Sequence, residues 1–233
     1  MNKNNWQKVQ LGDVANVKLS NVDKKTNPNE KTVKLCNYTD VYNNTFIDAE
    51  LLEKFMIATV NDDELKKFSL KKGQVAITKD SETPDDIGVS AYIAQNFQDV
   101  VLGYHLSLIT PIEKEVDGQF LNYYFHTTQL QKYFEHNASG SGQRCTLSID
   151  CINQVPLILP QLPIQKSIAQ ILSILDNKIA LNNKINSKLI ALTQIIYDYW
   201  FVQFDFPDEK KRPLYSCFFT LLINGRQVGE QYA

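Results

Sequence analysis

Apolar residues follow two regimes along the chain. Up to about residue 160 they come in short runs broken by turn-forming segments. From Pro163 to Pro207 they recur every three to four residues, with no intervening Gly or Pro. In the first regime, "TVKLCNYTDV" (32–41), "GQVAITK" (73–79), "GVSAYIA" (88–94) and "YHLSLITP" (104–111) have strand composition. The pieces "KTNPNEK", "KDSETPDD" and "PIEKEVDG" between them are rich in turn formers. One helix is predicted over "GQFLNYYFHTTQLQKYFEH", capped by Asp117, because Phe120, Tyr123, Tyr124, Leu130, Tyr133 and Phe134 recur at helical spacing. A small-residue loop, "NASGSGQRCT" (137–146), precedes a last strand, "VPLILP" (155–160). No internal repeat is visible in this part.

The second regime predicts one long helix. Pro163 suits a first helical position, since its φ is fixed and its missing N–H would be unsatisfied there anyway. From Pro163 to Gln203 the helix would run about 60 Å at about 1.5 Å per residue. A heptad frame fits it. One set of positions holds Ile168, Leu175, Asn182, Leu189 and Ile196; the other holds Ile164, Ile171, Lys178, Ile185, Leu192 and Tyr199. Leu172, Ile174, Ile179, Leu181 and Ile195 widen the stripe beyond a two-stranded seam. Lys178 and Asn182 interrupt it at mid-length. They are either a solvated shift of frame or a register device, in which an Asn buried opposite its own copy fixes orientation. The stripe itself would lie on its own domain as a scaffold helix or on a partner helix, and its length and width favour the partner. The fold class expected is α+β: a mixed α/β domain over 1–162, one coiled-coil-type helix over 163–204, and a short tail over 205–233.

Composition narrows the function by exclusion. With 24 Lys and Arg against 26 Asp and Glu, the formal charge is −2. A nonspecific nucleic-acid coat is thereby disfavoured, but a local basic patch is not. The polar start "MNKNNWQKVQ" has no signal-peptide core, and no apolar run reaches membrane-spanning length. Cys36, Cys145, Cys151 and Cys217 form no CxxC pair, which fits a reduced cytoplasmic protein. No phosphate-binding glycine loop, HExxH or GxSxG occurs. His105, His126 and His136 lack metal-ligand spacing with the cysteines. Asp62–Asp63 and Asp85–Asp86 read as turn formers or caps. No cofactor and no catalytic set are expected.

The stretch "LPQLPIQKSIAQILSILDNKIALNNKINSKLIALTQIIYDYWFVQFDFP" resembles the central conserved helix of the specificity subunits of type I restriction–modification enzymes. "WQKVQLGDVANV" (6–17) resembles the opening of that family's target recognition domains, and "SGSGQRCTLSIDCINQVPLILPQL" their closing loop and strand. The resemblance covers about residues 6–208. It implies a non-catalytic chain that reads double-stranded DNA. Methyl transfer from S-adenosylmethionine and DNA translocation fall to partner subunits. In the family's usual layout, two recognition domains each read half of a split site, and two helices pair antiparallel as a ruler that also docks the methyltransferase subunits. Here one recognition domain and one helix are present, the layout of a half-subunit. Its implied partners are a second copy of itself or another specificity chain, the methyltransferase subunits, and through them the restriction subunit, with no membrane. The tail "LYSCFFTLLINGRQVGEQYA" resembles nothing in the family. A second reading keeps the helix and drops the DNA: a helical adaptor, or an inactive truncated specificity chain.

Under the first reading, base edges need paired donors and acceptors, whereas phosphate contacts only position the protein. Arg144 is the sole arginine before residue 212. It sits beside Gln143 in the Gly/Ser loop that the family likeness highlights. Arg pairs bidentately with guanine and Gln with adenine. Ser141 and Thr146 lie in the same loop. Lys79, Asp80 and Ser81 follow a strand, and Tyr104 and His105 open another. Lys24, Lys25 and Lys31, and the run Lys66, Lys67, Lys71 and Lys72, are phosphate candidates that would otherwise be solvated faces.

Overall fold

The structure is a computed structural model that describes residues 6–140 and 144–202. Its strands are β1 (Gln7–Gln10), β2 (Ala15–Leu19), β3 (Lys31–Cys36), β4 (Phe46–Ile47), β5 (Met56–Val60), β6 (Val75–Thr78), β7 (Asp80–Ser81), β8 (Ser90–Ile93), β9 (Val100–Leu102), β10 (Leu106–Pro111), β11 (Ser139–Gly140), β12 (Cys145–Thr146) and β13 (Pro156–Leu159). Its helices are α1 (Leu11–Val14), α2 (Tyr38–Tyr42), α3 (Asp62–Phe68), α4 (Gly118–Phe125), α5 (Thr128–Asn137), α6 (Ile149–Asn153) and α7 (Leu162–Tyr197). The chain divides into two compact units between Ser173 and Ile174.

The first unit is built on a five-stranded sheet of order β2-β10-β6-β8-β4, antiparallel except for the β8–β4 pair. All four residues of β6 are buried, as a central strand covered on both faces requires. Its alternation sends Ala76 to one core and Val75 and Ile77 to the other. On β10, Leu106 and Leu108 join the first core and Ile109 the second. The first core is closed by the three-stranded sheet β5-β3-β9, through Val33, Leu35, Ala58, Val60 and Val101. The second is closed by helices, with Phe120, Leu121 and Phe125 from α4 and Leu130 and Phe134 from α5. Two buried polar side chains are matched, Ser90 Oγ donating to Asn122 Oδ1 at 2.8 Å and Asn122 Nδ2 to the Thr45 carbonyl at 3.2 Å, whereas the buried Ser107 Oγ has no hydrogen-bond partner among the described residues.

The runs at 73–79, 88–94, 104–111 and 155–160 become β6, β8, β10 and β13. Two expectations need correction. The run 32–41 ends as a strand at Cys36, and residues 38–42 form α2. Asn37 turns the chain there: its backbone N–H donates to Asp40 Oδ2 at 2.8 Å, the reciprocal half of a capping box. The single helix expected from Gly118 to His136 is two. Asp117 does cap it, accepting from the Phe120 N–H at 2.9 Å. However, α4 stops at Phe125, and the chain restarts as α5 after Thr127. Both helices keep their aromatic faces on one core, so the periodicity survives the break.

The first turns of α7 belong to the first unit. Gln165 is 1% exposed. Its Oε1 accepts from the Asp117 N–H at 2.9 Å, and its Nε2 donates to the carbonyls of Pro160 and Glu115 at 2.8 and 3.1 Å. Ala169 is buried in the helical core, and Ile168 packs against it. In the second unit, α7 continues to Tyr197 and a π-helical turn follows over Asp198–Val202. No described helix is long and apolar enough to cross a membrane.

Candidate nucleic-acid interface

Three separated stretches meet at one edge of the first unit. The antiparallel β6–β10 register sets Thr78 opposite Leu106, so the residues just beyond the pair, Lys79 and His105, are neighbours. The Lys79 N–H donates to the His105 carbonyl at 3.0 Å. β12 pairs with β7, setting Thr146 opposite Asp80 and Cys145 opposite Ser81. One further bond, from the Leu147 N–H to the Lys79 carbonyl at 2.8 Å, extends that junction. On its other side β12 pairs with β11, Gly140 lying opposite Cys145. A Cβ on Gly140 would collide with the Arg144 carbonyl oxygen, so glycine is what lets β11 lie this close to Arg144.

Asp80 is the hub. Its Oδ2 accepts from His105 Nδ1 at 2.7 Å and from Lys79 Nζ at 3.0 Å, and its Oδ1 accepts from Thr146 Oγ at 2.5 Å. Burial alone would raise the Asp80 pKa. The three donors outweigh it and hold the carboxyl below the ordinary carboxylate range. Asp80 is therefore the acceptor, which requires the proton of the His105 contact to sit on Nδ1. The Lys79 ammonium also lies 4.9 Å from the Tyr104 ring centre, a cation–π contact. Tyr104 and His105 meet edge to face at 4.4 Å.

The expected contact residues divide by exposure. Tyr104, Arg144 and Thr146 are exposed, while Lys79, Asp80 and His105 are half-buried. Ser81 is buried, and it lies beside the phenol of Tyr38. Ser141 and Gln143 lie outside the described residues. Lys24 and Lys25 are exposed on the segment between β2 and β3, with Lys25 3.9 Å from Asp23. Lys31 pairs with Asp99 at 2.7 Å. Lys66 and Lys67 occupy the last turn of α3, where cations favour the helix dipole.

Sequence reasoning missed the aromatic pair beside this edge. Tyr38 and Tyr42, one turn apart on α2, stack at 5.6 Å, and the Tyr42 hydroxyl donates to Asp86 Oδ1 at 2.8 Å. Burial pushes the Tyr38 phenol up, and the nearby carboxylates Asp86, Glu82 and Asp80 add to the effect. The i, i+4 spacing of the two tyrosines was a usable signal, hidden because 37–41 read as strand. Among the described residues no group of side chains could hold a metal ion.

Of the helix positions expected to face a partner, Ile164 and Ile171 in the first unit are exposed and Ile168 is half-buried. In the second unit Leu175, Asn182, Ile185, Leu189 and Ile196 are exposed, and Leu192 and Tyr199 are half-buried.

The family described as the type I restriction modification DNA specificity domain matches residues 3–191. The specificity subunit of the type I restriction enzyme HindI from Haemophilus influenzae is 29% identical over 203 residues, which is 86% of this chain and 41% of that protein. A crystal structure of the S subunit of a type I system from M. genitalium aligns with 97% of this chain and 52% of its own, with a TM-score of 0.60 at 16% identity. The HsdS subunit from Thermoanaerobacter tengcongensis aligns with 83% of this chain and 44% of its own, with a TM-score of 0.51 at 16% identity. At that identity the two structures speak for the fold alone. The chain spans about half the length of the relatives it matches. It belongs to the family of type I restriction–modification DNA specificity domains.

Proposed function

We propose that this chain is a DNA-specificity subunit without chemistry of its own. It reads one half of a split duplex site through the edge formed by Lys79–Asp80, Tyr104–His105 and Arg144–Thr146. Its α7 stripe pairs antiparallel with the same helix of a second copy, or with that of another specificity chain, and so sets the distance between two half-sites. Methyltransferase subunits dock on the assembled helices and supply catalysis. The observation that carries the reading is the convergence at one edge: cationic, aromatic and hydroxyl side chains from residues 79–81, 104–105 and 144–146 are brought together by the β6–β10 and β7–β12 pairings. Exposed Arg144 and Tyr104 border a network that fixes the groups behind them.

Selection from a random duplex pool, using the purified chain with its methyltransferase, should recover a split site with two-fold related halves. Arg144→Ala should then weaken binding to that duplex by about 1–3 kcal/mol and relax the preference at one base pair per half-site. An unaltered base preference in Arg144→Ala removes this residue from the reading role. Recovery of no sequence by the wild-type chain removes the role from the whole edge.

A further inference from the structure

Three of the roughly four acceptor positions on the Asp80 carboxylate are filled from within the chain. One oxygen accepts from Thr146 and the other from both Lys79 and His105, and its side chain is 18% exposed. Lys79 is equally committed. Its side chain is 13% exposed, and its ammonium is held between the Asp80 carboxylate and the Tyr104 ring. A lysine at a DNA edge ordinarily acts as a mobile phosphate hand and adds affinity on any sequence. Here the carboxylate neutralises that cation and pins it in place.

β12 is only two residues long, so few ladder bonds tie it to β7. Thr146 lies two residues beyond Arg144, and its side-chain bond to Asp80 adds to the backbone pairing of Cys145 with Ser81 and Gly140. A guanidinium that pairs bidentately with a base must arrive at a defined position, and a strand this short needs a side-chain clasp to provide one.

We infer that Asp80 is a positioning residue that sets sequence discrimination: its carboxylate withdraws Lys79 from indiscriminate phosphate binding and clasps the Arg144 strand through Thr146. The inference rests on the reading of this edge as a DNA surface. It predicts an unusual phenotype, in which loss of an acidic side chain makes binding to arbitrary DNA tighter while the preference for the right site declines.

The test measures affinity of the full chain with its methyltransferase across a salt series. The probes are two labelled duplexes: the one recovered by selection with the wild type, and a scrambled duplex of the same composition. Asp80→Asn should bind the scrambled duplex about 3- to 10-fold more tightly at low salt, with a log–log salt slope steeper by about 0.9 per copy of the chain bound, the value for one additional neutralised phosphate each. The selected-to-scrambled ratio should drop at least tenfold. Adding Lys79→Gln to Asp80→Asn should return the slope to its wild-type value. Thr146→Val, which removes the clasp and leaves the charges in place, should lower the ratio about 3- to 10-fold with the slope unchanged. That variant keeps the question open to test even if Asp80→Asn folds poorly by circular dichroism. Equal weakening on both duplexes with an unchanged slope in Asp80→Asn, or a wild-type ratio in Thr146→Val, overturns the inference and leaves the DNA reading intact. A wild type that prefers neither duplex overturns both.

Discussion

Gly88 lies at the approach to β8, with φ at +80° and Phe134 pressed against it. A Cβ added there would collide with the phenyl ring, and Phe134 is fully buried, edge to face with Phe125 at 5.9 Å. The ring cannot step aside without disturbing the core that holds α5. Gly73 is the informative contrast. Its φ is +94°, but a Cβ there would meet nothing within 4 Å. Gly73→Ala should therefore cost only the left-handed backbone penalty, about 1–2 kcal/mol. Gly88→Ala adds overpacking of about 1–3 kcal/mol and should cost about 2–5 kcal/mol in all. Urea unfolding of the two variants separates the contributions. Equal losses would mean that the Phe134 side chain relaxes freely.

At the level of elements, Gln165 joins the start of α7 to the end of β13 and the turn before α4. It satisfies three backbone groups from two other segments, the bond to Pro160 buried and those to Asp117 and Glu115 part-buried. Gln165→Leu keeps the volume and leaves the Asp117 N–H and two carbonyls without that partner. An unsatisfied buried polar group costs about 1–3 kcal/mol. We expect a loss of about 3 kcal/mol in urea unfolding and early hydrogen exchange at Asp117 and Phe120, where α4 begins. Unchanged exchange there would mean that other groups satisfy the turn. Elements of this kind differ in how far the sequence announces them. β6, β8 and β10 were legible because β-branched, aromatic and other apolar residues cluster there between turn-forming segments. The two-residue strands β7 and β12 were not, because two residues carry no period. The break at His126–Thr127 was hidden by aromatic spacing that both helices share. Lys79, Tyr104, His105, Arg144 and Thr146 could each be singled out from residue type and setting. That Asp80 would gather three of them could not, since only the strand order brings residues 79, 105 and 146 together.

For the molecule as a whole, the stripe on α7 is the unfinished part. Ten large apolar side chains between Ile174 and Trp200 are 43–71% exposed. An apolar surface of that extent is rare on a monomer and marks an interaction site. Two copies paired antiparallel about Asn182 would set Leu175 of one copy opposite Leu189 of the other, seven residues to either side of the axis, with the two Asn182 amides facing each other. Parallel pairing would set Leu175 opposite Leu175 instead. Charge exchange distinguishes these arrangements. Leu175→Glu or Leu189→Lys alone places like or unmatched charges in the seam and should weaken dimerisation at least tenfold by light scattering across a dilution series. The double variant restores part of the dimer only in antiparallel pairing, where each glutamate meets a lysine of the other copy. In parallel pairing it stacks like on like and dissociates further. Recovery in the double variant, together with recovery of binding to a split site, would assign the helix its role as the spacer between two reading heads. A wild-type chain that stays monomeric at micromolar concentration would transfer that role to a different specificity chain.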